Sequence, residues 1–227
     1  MRRKLITLLL SFVLTVPSYA MMMDNPLLYK VTVEELEKQF NDEKIVSWDG
    51  NIWIGYDINK IYLYSEGEKP EYGKTESEHQ LVYSRAIAPF WDIQLGMGYD
   101  KNEDTEHSWG VIAISGLAPY FFETRAALLI GEDGNIGLRF DTEYEALITQ
   151  KLIASPTLST ALYSKNTPEL EIGEGVSNLA IGVRLRYEIT REFAPYIGAE
   201  WQKNFGKTKE YYPVDEVYLA AGVRIWF

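Results

Sequence analysis

The chain has 227 residues, of which 46% are apolar and 14% aromatic, with no cysteine and a net charge of −11. The lack of cysteine excludes a disulfide framework and a thiolate metal site, and the apolar content excludes a disordered chain. The negative charge makes nucleic acid an unfavourable partner, because its phosphates would repel the protein.

The chain opens with the features of a secretory signal peptide. Arg2, Arg3 and Lys4 precede an apolar stretch over 5–16, and small residues lead up to Ala20. About a dozen apolar residues are too few to cross a bilayer as a helix, which needs about 20. We therefore predict cleavage of residues 1–20, which removes three positive charges and leaves a net charge of −14. The alternative is an uncleaved interfacial anchor.

The predicted mature chain begins with an N-terminal segment and first strand, residues 21–45. Its candidate metal ligands are Met21, Met22, Met23 and Asp24. Thioethers are soft ligands suited to Cu(I), so this cluster could form a weak, flexible copper site. Alternatively, the methionines lie beside the cleavage point by accident. A strand is predicted over 27–37, although residues 34–40 could also form a short helix.

The remainder, residues 46–227, shows a recurring two-residue alternation of apolar and polar side chains. In the last stretch Val217 and Leu219 face one way, while Glu216 and Arg224 face the other. The predicted strands lie at 27–37, 46–56, 59–68, 75–87, 91–100, 108–117, 121–131, 135–147, 151–163, 176–189, 194–205 and 215–227. Together they predict an all-β protein, a single transmembrane antiparallel β-barrel of about 12 strands with periplasmic termini.

A soluble β-sandwich would alternate in the same way. Three features favour a barrel in a bacterial outer membrane, surrounded by lipid. The polar faces carry both charge signs, tight turns alternate with longer polar loops, and the chain ends on the aromatic Phe227. Ala88-Pro89-Phe90, Ala118-Pro119-Tyr120 and Ala194-Pro195-Tyr196 repeat at predicted tight turns, where proline and an interfacial aromatic ring both fit.

The polar faces predict a charged lumen. The side chains assigned to it are Glu123, Arg125, Arg139, Asp141, Glu143, Glu145, Arg184, Arg186, Glu188, Glu200 and Arg224, with Glu66, Glu76, Glu78 and Asp92. If these charges pair, they fill or constrict the pore, because buried charges are tolerated only when paired. If carboxylates are left over, they could line a path for metal cations.

The sequence offers little for catalysis, and we predict that the protein is not an enzyme. Its two histidines are His79, which alternation points toward lipid, and His107, which lies in a predicted outer loop. A hydrolase would need serine and histidine side by side. Neither Ser84 nor Ser155 has a histidine placed beside it.

Four strings resemble the copper resistance protein B family. They are Met-Asp-Asn-Pro-Leu-Leu-Tyr-Lys-Val at 23–31, Tyr-Ser-Arg-Ala-Ile-Ala-Pro-Phe-Trp-Asp at 83–92, Gly-Leu-Ala-Pro-Tyr-Phe-Phe at 116–122, and Arg-Leu-Arg-Tyr-Glu-Ile-Thr-Arg-Glu-Phe-Ala-Pro-Tyr-Ile-Gly at 184–198. The resemblance covers about residues 23–227. It implies an outer-membrane barrel in periplasmic copper detoxification, acting alongside a periplasmic multicopper oxidase.

The resemblance also implies what the barrel would do with copper. We expect weak or transient copper binding that assists export or sequestration of the ion. The alternative is a plugged structural barrel that docks a periplasmic copper-handling partner and transports nothing. Family members often carry a long methionine- and histidine-rich segment before the Asp-Asn-Pro-Leu-Leu string, and here only Met21–Met23 stand in that place. The resemblance supplies no catalytic residues.

Overall fold

The computed structural model describes residues 25–41, 43–73, 75–102 and 105–227. The predicted signal peptide and the predicted ligands Met21–Asp24 lie outside these described residues. The strands are β1 Leu28–Gln39, β2 Val46–Gly55, β3 Asn59–Lys69, β4 Glu76–Ala88, β5 Trp91–Asn102, β6 Thr105–Ala118, β7 Phe122–Gly131, β8 Ile136–Tyr144, β9 Ala146–Leu147, β10 Leu152–Tyr163, β11 Gly175–Tyr187, β12 Phe193–Asn204 and β13 Asp215–Trp226.

These strands form one closed antiparallel barrel. Both β8 and β9 pair with β10, so they are consecutive pieces of a single stave, and the barrel has 12 staves. The first and last strands close it, with Thr32 opposite Trp226. Val31 and Phe227 exchange two backbone hydrogen bonds of 3.1 and 2.9 Å at the same seam. The predicted 12-stranded barrel is confirmed, and the β-sandwich alternative is wrong.

Side chains that alternate in the sequence point alternately to the outer surface and to the interior of the barrel, as β4 shows. Leu81 and Tyr83 are 51% and 44% exposed on the outer surface, while Val82 and Ser84 are 1% and 0% exposed inside. His79 shares the outward face with Leu81, as predicted. An apolar outer surface around a polar interior is what a barrel needs when lipid surrounds it.

A β-bulge in β1 breaks the alternation at one point. The register slips between Val33 and Leu36 against β13, and at the same place against β2. The extra residue turns both Glu34 and Glu35 toward the lumen, and Glu37 follows them inward at 3% exposure. The strand over this region is therefore present, and the alternative short helix over 34–40 does not form.

The two ends of the barrel differ in their connections. One end carries the start of β1, the C-terminus and the short turns at 56–58, 89–90, 119–121, 148–151 and 188–192; the other carries the connections at 40–45, 70–75, 132–135, 164–174 and 205–214. In outer-membrane barrels the short turns face the periplasm, so we call these the periplasmic end and the outer end. Only residues 103–104 separate β5 from β6, so this outer connection is shorter than predicted.

In the described residues, helical structure is confined to the connections. A short helix, α1, spans Gly206–Tyr211, and 3-10 turns span Pro119–Phe121 and Pro168–Leu170. Within the described ranges, no helix has the length and apolar character needed to cross a bilayer.

Two of the three proline–aromatic repeats lie at periplasmic turns, as predicted. There Phe90 and Tyr120 both have φ of 67° and expose their rings by 76% and 83%. A left-handed backbone costs a residue with a side chain about 1–2 kcal/mol, and here it projects each ring outward at the membrane interface. The third repeat departs from the prediction, because Pro195 lies within β12 and Tyr196 points into the lumen at 5% exposure.

Candidate functional site in the charged lumen

Arg139 on β8 is the centre of a cluster that crosses the lumen. Its guanidinium contacts Glu66 on β3 at 3.5 Å, Glu78 on β4, and Asp100 on β5 at 3.4 Å. The indole N–H of Trp109 donates to Asp100 at 2.7 Å. Since β8 and β3 are five staves apart in a barrel of 12, this cluster ties opposite walls together.

Arg184 on β11 is the centre of a second cluster, on the other side of the lumen. It contacts Glu35 at 2.8 Å, Glu37 at 3.1 Å and Glu200 at 3.2 Å. The Tyr196 hydroxyl donates to Glu37 at 3.0 Å. Arg184 and Glu37 are only 11% and 1% exposed in their side chains, so the pair is shielded from water. Two of its three carboxylates come from β1, where the bulge brings Glu35 inward.

A third cluster joins Arg186 and Arg224 near the periplasmic end. Both arginines contact Glu145, and Arg224 also donates a hydrogen bond from its Nε to the Glu34 carboxylate. Arg186 is 4% exposed. The bulge in β1 thus supplies acids to two clusters at once, Glu35 to Arg184 and Glu34 to Arg224.

Arg125 differs from the other four lumen arginines. It faces Asp141 in register between β7 and β8, but its guanidinium donates instead to Gln80 at 2.6 Å and Gln94 at 3.2 Å. It also lies over the Tyr64 ring, 4.7 Å from the centroid. Because amides carry no charge, Arg125 remains a cation without a close carboxylate partner among the described residues.

Apolar side chains fill part of the lumen on the side of β4 to β7 and β10. The buried cluster comprises Val82, Trp109, Val111, Ala113, Ala127, Leu129, Ala161, Tyr163, Leu170 and Ile172. Leu170 and Ile172 come from the connection at 164–174, which folds inward over this cluster. Tyr163 joins it to the charges, since its hydroxyl accepts a hydrogen bond from Arg139 at 3.2 Å.

Two pairs of glutamates lie directly opposite each other on neighbouring strands, and their surroundings differ. Glu66 faces Glu78, and Arg139 bridges them. Glu123 faces Glu143, and in the described part of the chain no cation lies within ion-pair distance of either. Like charges placed opposite each other in a sheet are destabilising. The Glu123–Glu143 pair, which we call the open glutamate pair, is therefore retained at a cost to stability.

The structure places the predicted lumen residues as follows. Glu123, Arg125, Arg139, Asp141, Glu143, Glu145, Arg184, Arg186, Glu200 and Arg224 all face the interior. Glu188 lies one residue beyond β11, half-buried at the periplasmic turn, and belongs to none of the three clusters. The sequence reasoning did not assign Glu34, Glu35, Glu37 or Asp49 to the lumen. Alternation with Ser47 and Asn51 could have found Asp49, and alternation with Lys30 and Thr32 could have found Glu34, whereas the inward positions of Glu35 and Glu37 depend on the bulge.

One small cavity lies between the second and third clusters. Its volume is about 20 Å³, and its walls include Glu34, Glu143, Ser155, Arg186 and Tyr196. This is room for about one water molecule. Across the described ranges, no group of three or more histidine, aspartate or glutamate side chains has the spacing of a preformed metal site.

The prediction that His107 lies in an outer loop is wrong. His107 lies on β6, with its ring turned inward at 7% exposure. Its Nδ1 lies 3.9 Å from Glu132 and its Nε2 lies 3.7 Å from Asp133. Partial burial acts to raise the pKa of Asp133, but the backbone N–H of Asn135 and the charge of His107 lower it overall.

The two serines considered for catalysis do not contact a histidine within the described structure. Ser84 donates its hydroxyl hydrogen bond to Asp92 at 2.9 Å, and Ser155 is buried on β10 at 2% exposure. Neither Ser84 nor Ser155 therefore forms the serine–histidine pair that hydrolysis requires.

A closed barrel with an apolar exterior and a charged interior defines the class of outer-membrane porin-like β-barrels. Solved structures of similar fold include the KdgM porin, with a TM-score of 0.55 and 12% identity, matching 87% of this chain and 99% of that one. The NanC porin matches 87% of this chain and 99% of its own, with a TM-score of 0.56 and 11% identity.

The family model described as "Copper resistance protein B precursor (CopB)" matches residues 27–227. Copper resistance protein B of Escherichia coli is 37% identical over 90% of this chain and 71% of its own length. A copper resistance protein B homolog of Pseudomonas syringae pv. tomato is 37% identical over 82% of this chain and 65% of its own. The chain belongs to the copper resistance protein B family. It is an outer-membrane protein of copper resistance, and this family is not one of enzymes.

Proposed function

We propose that this barrel binds copper ions weakly in its lumen and assists their export. The open glutamate pair is the proposed binding site. The observation that supports the proposal is the register of Glu123 opposite Glu143 without a cation between them. An arrangement that costs stability and is still present is a candidate for function. Carboxylates that line a pore favour the passage of cations.

The charge balance of the lumen supports the same proposal. Besides the open glutamate pair, Asp49 and Asp141 face inward with no ion-pair partner among the described residues. Asp49 lies near enough to Glu34 and Asp141 for their charges to interact. Carboxylates therefore outnumber arginines along the interior, and a narrow channel with an excess of one sign concentrates ions of the other sign.

Two kinds of copper ligand would serve different oxidation states of the ion in this proposal. Carboxylate oxygens suit Cu(II), whereas the thioethers of Met21–Met23 suit Cu(I). These methionines precede Leu28, where β1 begins at the periplasmic end. They would bind Cu(I) at the mouth of the barrel, whereas the carboxylates would bind copper that enters the lumen as Cu(II), so neither site has to change the oxidation state of the ion.

Planar-bilayer recording tests the lumen part of the proposal. We expect the refolded barrel to conduct cations in preference to anions, and E123Q/E143Q to reduce that preference severalfold because the local negative charge is lost. E106Q is the matched control, since Glu106 faces outward and pairs with Lys101 at 3.2 Å. An unchanged selectivity in the double variant, or the same loss in the control, would contradict the proposal.

The second candidate is a plugged barrel that docks a periplasmic copper-handling partner, such as a multicopper oxidase. The observation in its favour is the Arg139 cluster, which ties β8 to β3 across the lumen beside the apolar cluster. Such a barrel would be electrically silent in the same recording. Silence together with retention of the oxidase on immobilised barrel would favour this candidate over transport.

The methionine part of the proposal has its own test. Replacing Met21, Met22 and Met23 by leucine retains their apolar character and removes the sulfur ligands, so Cu(I) binding to the refolded protein should weaken by about tenfold or more. Equilibrium titration against a Cu(I) chelator measures it. The same variant should restore copper tolerance to a deletion strain less well than the unaltered gene. Equal affinity for copper would remove the methionines from the proposal.

A further inference from the structure

Two lysines face outward near the outer end of the barrel, on either side of one valine. Lys38 on β1 pairs in register with Val46 on β2, and Val46 pairs with Lys69 on β3. Strands in a sheet lie about 4.8 Å apart, so the two lysine backbones are about 10 Å apart on one rung. Two long ammonium side chains at that separation can reach the same anion.

A cavity adjoins this rung at the outer end. Its volume is about 380 Å³, and it is lined by Lys38, Phe40, Asn41, Lys44 and Glu71. Lys44 and Glu71 form an ion pair at 2.9 Å that bounds it. The Lys44 hydrogen bond and charge lower the pKa of Glu71, and the charge of Lys38 contributes to the same shift. All three charged groups therefore lie around one space.

Lys38 and Lys69 differ from other outward lysines at this end. Lys101 pairs with Glu106 at 3.2 Å, and Lys203 pairs with Asp215 at 2.6 Å. Within the described residues, neither Lys38 nor Lys69 has a carboxylate at ion-pair distance. The chain has a net charge of −11. The two unpaired lysines on the lipid-facing surface therefore form a local positive region on a protein that is negative overall.

Apolar side chains lie below, beside and above these lysines. Leu36 lies two residues nearer the membrane than Lys38 and is 45% exposed, Val46 lies between the two lysines at 41%, and Phe40 follows Lys38 in the outer connection at 60%. A basic group above an apolar surface, at the level where a membrane meets water, matches a lipid whose headgroup is anionic and whose chains are apolar.

We propose that Lys38, Lys44 and Lys69 form a binding site for the phosphorylated headgroup of an outer-leaflet lipid, with Leu36 against its acyl chains. The site needs only the membrane location of the barrel and is independent of how copper is handled. Glu71 limits the affinity, because it neutralises Lys44 until the lipid phosphate competes for that ammonium group.

Native mass spectrometry of the refolded mature barrel tests the site, with phosphorylated lipid A and chemically dephosphorylated lipid A as the two probes. We expect retention of the phosphorylated lipid only. K38Q/K44Q/K69Q should lower its affinity by roughly tenfold or more, because each lysine near an anionic surface contributes to binding. E71Q should raise the affinity. The matched control is K101Q/K203Q/K207Q, which removes three lysines elsewhere at the outer end and should change affinity less than about twofold.

Heat-dependent mobility on gels shows whether each variant has formed the barrel, so that a folding failure is not taken for lost binding. Equal lipid affinity in K38Q/K44Q/K69Q and the unaltered protein would overturn the proposal. So would equal retention of both lipid A forms, or displacement of the lipid by an equal concentration of inorganic phosphate, which would show a site for a free anion.

Discussion

Replacing Arg184 by glutamine is expected to lower the free energy of unfolding by about 3–5 kcal/mol. Arg184 neutralises Glu35, Glu37 and Glu200 at 2.8, 3.1 and 3.2 Å. Glutamine is of similar length but uncharged, so three shielded carboxylates would repel one another with no cation between them. Equilibrium urea unfolding in phospholipid vesicles, followed by tryptophan fluorescence, measures the change.

Two further variants separate the loss of this pairing from the loss of any arginine. R191Q makes the same change at an exposed position in a periplasmic turn, where the free energy of unfolding should hardly change. Adding E37Q to R184Q removes one of the stranded charges and should recover part of the loss, since neighbouring substitutions in one network are not additive. If R184Q unfolds like the unaltered barrel, the cluster is not a stabilising element.

Replacing Leu129 by alanine is expected to cost about 3–5 kcal/mol. Leu129 is 1% exposed and packs inside the barrel in the cluster that includes Trp109 and Tyr163. Surrounding strands are hydrogen-bonded into a closed ring and cannot collapse into the space, so the lost contacts would leave a cavity. The same urea unfolding measurement applies.

The next residue toward the N-terminus provides the control. Leu128 is 36% exposed on the outward face, where lipid chains can move into the space that a smaller side chain leaves. L128A should therefore cost at most about 2 kcal/mol, mainly the transfer contribution. An L128A cost equal to that of L129A would show that the interior is not tightly packed at this level. In bilayer recordings, L129A should also increase conductance if the apolar cluster narrows the pore.

The sequence was sufficient to predict the barrel because its physical basis is local. Alternate side chains point to opposite faces of a strand, so Leu81 and Tyr83 separate from Val82 and Ser84 wherever that strand lies. The same rule assigned Arg139, Asp141 and Glu143 to the interior, since they lie on one regular strand. Family membership follows from long matching strings and needed no fold.

The interior contacts could not be predicted in this way. The bulge in β1 reverses the alternation, so Glu35 and Glu37 face the lumen although their spacing from Tyr29 assigns them to lipid. The inward position of His107 depended on where β6 begins, and strand ends are the least predictable part of a strand. The bulge could not be predicted from one chain, because a bulge is defined by the pairing of a strand with its neighbours. The start of β6 is likewise fixed by its pairing with β5.

The sequence by itself determined which strand faces are apolar and which are charged, because side chains alternate every second residue. It also determined the number of staves, because each stave is one alternating segment bounded by turns. Only the tertiary structure decided which charges neutralise each other. Arg139 meets Glu66 from five staves away, whereas Arg125 turns from its register neighbour Asp141 to two glutamines. Closing the ring brings distant strands within reach of one another. Because the arginines contact other partners, Glu123 lies opposite Glu143 without a cation from the described residues at ion-pair distance.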